Sequence, residues 1–348
     1  MSLQQFIRDM PKVELHVHLE GSIRPATLLT LAQRNRVTLP AQDLQGVQEF
    51  FRFTDFEHFI RVYFTISGCL KTVDDFSLIA YEFGADMARQ NIRYAEVTFT
   101  PHTHVVNTGL PFDELLTGLN DGRARANRDF GVDFRWILDI VRDNPDSRHL
   151  VASWAAAAVD RGVVGLGLGG TERGYPPELF SDAYDVARGV GLHSVPHAGE
   201  IAGPSSVWSA IRILNAERIG HGVRSIEDPE LVEYLKQQQI PLEVCPTSNL
   251  CLGVYRTYQE HPLRWMWDEG LYVTVNSDDP PMFGTDLVRE YTALAEQMRF
   301  TAPELEQLSL NALRASFLPP DQASELERAF LTEFSRIWAK HQEEREIQ

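Results

Sequence analysis

Val13-Glu14-Leu15-His16-Val17-His18 alternates apolar and polar side chains, the pattern of a half-buried strand, before Leu19-Glu20-Gly21 breaks it. Working outward, seven further short apolar runs follow: Ile92–Thr98, Phe134–Val141, Val163–Leu168, Leu192–His197, Arg218–His221, Leu242–Cys245 and Tyr272–Ser277. Helical stripes separate them. Phe76, Ile79, Ala80, Phe83 and Met87 recur at the helical period, as do Val207, Ala210, Ile211 and Leu214. Eight strands alternating with helices predict an α/β fold, a (β/α)8 TIM barrel. Residues 44–66 form a helical insertion after strand one, where Phe56, Phe59, Ile60 and Tyr63 recur at helical spacing. Thr301 to Glu304 reads as a capping box, and a last helix carries Ala323, Leu326, Phe330, Phe334, Ile337 and Trp338 on one face, so extra helices end the chain. With no repeat, low-complexity tract or linker, residues 1–348 are expected to form one domain.

Apolar residues make up 43% of the chain and charged residues 23%, which suits a large core and argues against global disorder. Lys and Arg total 32 against 49 Asp and Glu, a formal net charge of −17. So acidic a surface repels phosphate backbones and anionic lipid heads, and neither nucleic acid nor membrane is an expected partner. Cys69, Cys245 and Cys251 are an odd, sparse set that fits a reducing cytosol. Neither Cys245 nor Cys251 has a C-x-x-C partner, so no metal pair is expected there. Met1 to Lys12 lacks the apolar core of a signal peptide, and no stretch approaches the roughly 20 apolar residues of a membrane span. The expected location is the cytoplasm.

A barrel of this type keeps its chemistry at the C-terminal ends of its strands, and four motifs fall there. His16 and His18, at i and i+2, face the same side of strand one and can bind one ion, although H-x-H also arises by chance. His197 ends strand five and Glu200 follows in the turn, where an acid can sit beside a metal-bound water. A buried histidine with a solvated glutamate explains that pair equally well. Gly220-His221-Gly222 ends strand six; its glycines either let the backbone approach a ligand or mark an ordinary turn. Asn276-Ser277-Asp278-Asp279-Pro280 ends strand eight. Its adjacent carboxylates repel unless a cation or proton separates them, although Asp-Asp-Pro also suits a polar turn. Asp278 as a ligand and Asp279 as a partner of the attacking water would resolve the repulsion. Scattered structural histidines have no reason to gather at the ends of strands one, five, six and eight, so jointly the motifs point to a metal site. His193, on the strand face of His197, is expected deeper in the barrel. His102 and His104 repeat H-x-H in what reads as a loop, after Pro101 and beside Asn107 and Gly109.

Five segments in combination carry a family resemblance: Lys12-Val13-Glu14-Leu15-His16-Val17-His18-Leu19-Glu20-Gly21, His197-Ala198-Gly199-Glu200, Glu217-Arg218-Ile219-Gly220-His221-Gly222, Cys245-Pro246-Thr247-Ser248-Asn249 and Asn276-Ser277-Asp278-Asp279-Pro280. From Pro11 to about Tyr291 the sequence resembles the adenosine/adenine deaminase branch of the amidohydrolase superfamily. The resemblance implies one divalent metal ion, zinc, held by His16, His18, His197 and Asp278, and hydrolytic loss of a purine 6-amino group through zinc-activated hydroxide attack at C6. It further implies that Glu200 protonates N1 while His221 and Asp279 orient the hydroxide and stabilise the developing alkoxide. The chemistry agrees, because an aromatic amine leaves only after the ring is dearomatised. That needs a nucleophile, a ring protonator and an electrostatic clamp. Strand four, Val163 to Gly170, lacks the bridging lysine of two-metal amidohydrolases, so one ion is expected. The Pro-Cys-x-x-Cys signature of cytidine-type zinc deaminases is absent.

Adenosine-type members carry aspartate, associated with the sugar hydroxyl, where Glu20 stands, and another aspartate where Gly167 stands. Gly170 is kept, and the resemblance implies that its N–H meets the purine. Phe56 and Phe59 are implied to belong to a lid over the substrate. Gly220 matches the nucleoside-acting type rather than adenine deaminases with aspartate there. Adenosine, converted to inosine and ammonia, therefore leads as substrate. Aminodeoxyfutalosine or another 5′-modified adenosine follows, then adenine. A catalytically inactive nucleoside-binding homologue would have lost a ligand or the acid, and none is lost. A mononuclear hydrolase of a non-purine amide is the remaining alternative.

Overall fold

The computed structural model describes residues 2–346. Its strands are β1 (Lys12–His18), β2 (Ile92–Phe99), β3 (Asp133–Val141), β4 (Val163–Gly169), β5 (His193–Ala198), β6 (Ile219–His221), β7 (Leu242–Val244) and β8 (Val273–Val275). They pair in parallel in sequence order. The ring closes where Val17 bridges to Asp278: His18 N donates to Asp278 O at 2.9 Å, and Asp278 N donates to His16 O at 3.1 Å. Helices lie between the strands, as the βα alternation requires.

The last three strands are shorter than the apolar runs suggest. At β8 the reason is visible: Asn276 Oδ1 accepts from Leu15 N at 2.9 Å and His16 N at 3.1 Å. A side chain thereby takes over the ladder to β1 one residue beyond the strand.

Phe76, Ile79, Ala80, Phe83 and Met87 are all buried on the helix Val73–Arg89, and Phe330, Phe334 and Ile337 on Pro320–Glu346. The Thr301–Glu304 capping box is formed, and the helix it starts packs on β1 and β8. The insertion after β1 holds the helices Leu44–Phe50 and Phe56–Ser67.

Two histidine readings are corrected. Pro101 and Gly109, which suggested a loop, instead bound the helix Pro101–Thr108. Proline suits a first helical turn, and Gly109, at φ 72°, caps the end in the left-handed conformation. His193 does not sit deep in the barrel. It stacks on Phe317 with centroids 3.7 Å apart, its Nδ1 faces Glu217 at 2.8 Å, and it is part-exposed at the opposite end of β5 from His197.

Candidate active site

Beneath the site the barrel is charged. Arg218, at the foot of β6, is 1% exposed; its Nε donates to Glu243 at 2.6 Å and its Nη2 to Glu96 at 2.5 Å. Glu243 turns its other oxygen to His16 Nδ1, 2.9 Å away. That contact leaves Nε2 of His16 as the nitrogen facing the strand ends, the usual way an outer carboxylate orients a metal-ligating imidazole. Buried charge is tolerable only when paired and hydrogen-bonded, and here each partner is engaged.

Above this base, the strand ends bring His16, His18, His197 and Asp278 together. His18 Nε2 lies 3.3 Å from both His197 Nε2 and Asp278 Oδ1, and His16 Nε2 lies 3.6 Å from Asp278 Oδ1. Bonds of about 2.0–2.2 Å in tetrahedral array put ligand atoms roughly 3.4 Å apart, so the spacing fits a zinc-sized ion. His16 Nε2 is buried without a hydrogen-bond partner, and three imidazoles with one carboxylate are a donor set that zinc accepts. His221 and Cys245 border the same cluster. Burial, with the nearby carboxylates, holds the Cys245 thiol protonated, which makes it a poor ligand.

His221 and Asp278 are both left-handed, at φ 61° and 64°. Side chains adopt that conformation at a cost, most readily Asn, Asp and His, and such strain concentrates at functional sites. Gly220 permits the crowding: a Cβ there would lie 2.8 Å from His16 Cε1. Gly21 is equally constrained, since a Cβ would collide with the Asp279 carboxyl.

Two neighbouring carboxyls are driven apart in acidity. Burial opposes ionisation of Asp278, yet the contact with His16 holds it well below the usual range. Burial, then the charge of Asp278, pushes Asp279 well above it. Glu200 is raised well above its ordinary value by burial, then by Asp278 and Glu172. Burial, then His16, lowers His221 to about 3 and keeps it neutral. His221 Nε2 is 3.7 Å from Glu200 Oε2 and 3.9 Å from Asp278 Oδ2. One carboxyl held acidic beside two held weakly acidic, with an imidazole held weakly basic, is a division of labour suited to acid–base work.

The loop carrying Glu200 hangs on one side chain. Glu172 accepts from the backbone N–H groups of Gly199, Glu200, Ile201 and Ala202 at 2.6–3.1 Å, and from Ser206 Oγ at 2.8 Å. Arg142 Nη2 donates to His197 O at 2.5 Å, bracing the preceding strand end. Sequence reading missed Glu172, Arg142, Arg218 and Glu243. The available signal was charge within or just after an apolar run, since such a residue needs a buried partner.

A cavity of about 660 Å³, its open mouth included, leads from the cluster to the surface. Phe56, Phe59 and Gly170 line it, as do His18, His197, Glu200, His221, Asp278 and Asp279. Glu20, expected at the sugar hydroxyl, is behind the wall. Its Oε1 accepts from Thr100 N at 3.0 Å and faces His104 Nε2 at 2.9 Å, while Oε2 accepts from Tyr63 OH at 3.3 Å. His104, discounted in the sequence reading, is thus a buried partner of Glu20.

Fold and site together define a (β/α)8 hydrolase of the metal-dependent class. The chain belongs to the adenosine deaminase family, whose sequence profile matches residues 11–331. It is 43% identical over 323 residues to the aminodeoxyfutalosine deaminase of Streptomyces coelicolor, covering 91% of this chain and 82% of that one. It is 37% identical over 338 residues to the adenine deaminase of Cupriavidus necator, covering 97% and 95%. The crystal structure of adenine deaminase from Arthrobacter aurescens superposes with a TM-score of 0.89 at 33% identity, over 95% of this chain and 99% of that one. A zinc-bound amidohydrolase from Burkholderia ambifaria gives 0.90 at 29%, over 98% and 95%. Among the described residues, no helix is long and apolar enough to cross a membrane.

Proposed function

We propose that this protein hydrolytically deaminates an adenine nucleoside extended at its 5′ position, of the aminodeoxyfutalosine type, with zinc held by His16, His18, His197 and Asp278. The observation that carries this reading is the cavity wall. Beyond the cluster it is mainly apolar, from Phe56, Phe59, Ile60, Phe64, Val141 and Leu252, with Tyr63, Thr100, Thr103 and Asp139 as polar members and no lysine or arginine. Such a wall suits the aromatic and methylene part of a 5′ extension, while an anionic group at the far end, carboxylate or phosphate, finds no cation in the cavity and has to reach its open mouth. The 43% identity to an aminodeoxyfutalosine deaminase supports the same order. Adenosine, first on sequence grounds, becomes the second reading.

The chemistry supplied by a bound divalent ion is activation of water as a nucleophile near neutral pH. The chain's own groups do the rest. Glu200 carries the proton for N1, which makes C6 electrophilic. Glu172 fixes the position of Glu200 through the loop N–H groups. Asp279 and the neutral His221 orient the nucleophile and steady charge as the C6 centre becomes tetrahedral. The lid helix Phe56–Ser67 excludes water from the ring.

The test is ammonia release by metal-analysed protein from aminodeoxyfutalosine, methylthioadenosine, adenosine and adenine. A kcat/KM for a 5′-extended nucleoside at least tenfold above that for adenosine is expected. Adenosine turned over equally well or better overturns the reading.

A further inference from the structure

One carboxyl in the cavity is left over by this mechanism. Asp139, on the inward face of β3, lines the cavity, is 3% exposed, and its Oδ1 has no hydrogen-bond partner. Arg142, three residues on, does not neutralise it by a bond: its Nη1 and Nη2 go to the Tyr175 and His197 carbonyls, each at 2.5 Å. A buried polar atom left unmet costs about 1–3 kcal/mol, and such an atom in a native fold calls for an explanation.

The neighbouring strand makes room for this carboxyl. A Cβ at Gly167 would lie 2.8 Å from Asp139 Oδ1, and one at Gly169 would collide with Oδ2. Where the resemblance led to an aspartate on strand four, β4 presents bare backbone, and the acid comes from β3.

We infer that Asp139 is a specificity residue whose free Oδ1 takes a hydrogen bond from a sugar hydroxyl of the nucleoside. The inference rests on the nucleoside reading above. β3 stands two strands away from both β1 and β5, which carry the ligand histidines, so Asp139 meets the substrate away from the reacting C6. An adenine substituted at N9 has no N–H other than its 6-amino group. Its remaining strong donors are the hydroxyls of the sugar. Free adenine has no hydroxyl and offers only its ring N–H in that place, which the adenine arm of the experiment reads separately.

The experiment compares wild type with Asp139→Ala and Asp139→Asn on adenosine, 2′-deoxyadenosine, 3′-deoxyadenosine, the 5′-extended nucleoside and adenine, with metal content and Tm recorded. In wild type, one deoxynucleoside is expected to lose about tenfold in kcat/KM, mostly in KM, because its missing hydroxyl leaves a buried acceptor unpaired. Asp139→Ala is expected to lose the same factor on adenosine, nothing further on that deoxynucleoside, and less than about twofold on adenine. Asp139→Asn keeps the shape of the side chain and serves if the alanine variant does not fold. It is expected to lose about threefold on adenosine and nothing on the same deoxynucleoside. Equal losses on adenine and adenosine, or deoxynucleosides turned over like adenosine by wild type, overturn the inference. Failure of the 5′ preference is read separately, as adenosine outrunning the extended nucleoside in wild type, and leaves the sugar comparison standing. A wild type that prefers adenine to every nucleoside overturns both.

Discussion

Two buried polar clusters share the barrel axis and differ in what they leave undone. In the lower one, Arg218 spends Nε on Glu243, Nη2 on Glu96 and Nη1 on Ala315 O, while Glu96 also accepts from Phe317 N and Tyr94 OH. In the upper one, His16 Nε2, His197 Nδ1, Glu200 Oε1 and Asp279 Oδ1 have no partner. His16 belongs to both, satisfied below through Nδ1 and unsatisfied above. A fold that can pair every group in one cluster and leaves another unpaired a few ångströms higher is holding the second for a ligand. On the proposed function the lower cluster is scaffold and the upper one chemistry, and substitutions should separate them.

The sharpest separation is expected at Glu200. Glu200→Gln should lower kcat by about 10²–10⁴-fold, the usual worth of a general acid, with zinc content and Tm unchanged. Retained turnover would refute its role as the proton carrier. The sign of the pH profile follows from the same group. Turnover needs its acid form, and burial with Asp278 and Glu172 holds its pKa well above the ordinary range. Wild-type kcat is therefore expected to fall as pH rises through that raised value. A loss of kcat on the acidic side with no alkaline fall would contradict it.

Arg218→Ala should do the opposite. It leaves buried Glu96 with no counter-charge and Glu243 with His16 alone, a loss of about 3–5 kcal/mol of stability, read by denaturant unfolding. If the variant unfolds like wild type, the lower cluster is not scaffold. Glu243→Gln sits on the boundary and should weaken zinc binding about 10–100-fold, measured by chelator competition, because His16 loses its orienting carboxylate. Unchanged zinc affinity would cut the proposed link between the clusters. The smallest effect belongs far from both: Thr301→Ala should cost about 1 kcal/mol by removing a helix cap, with kcat/KM unaltered. A change in kcat/KM there would mean that the outer helices reach the site.

The upper cluster was legible in the sequence because its residues are chemically distinctive and end periodic runs. His16, His18, His197, His221 and Asp278 announce themselves by type and place. The lower cluster was not, because Glu96, Arg218 and Glu243 find one another only across the barrel, at separations that no local pattern encodes. The fold was legible through period, while the strand ends were not. Asn276 stops β8 with a side-chain bond to β1, a contact between residues 261 positions apart. His102 and His104 show the same limit from the other side: Pro101 and Gly109 bound a loop or a short helix equally well by sequence, and the burial of His104 against Glu20 favours the helix.

The seam at Val17 and Asp278 has a consequence for the order of events during synthesis. The first strand carries two of the histidines proposed to hold the metal and leaves the ribosome early, yet the carboxylate proposed to complete the set lies on the far side of the same seam. A nascent chain with seven strands made has its histidines but neither the closing backbone bonds nor Asp278. On the proposed ligand set, tight metal capture waits for the eighth strand, and the step that seals the barrel is the step that arms it.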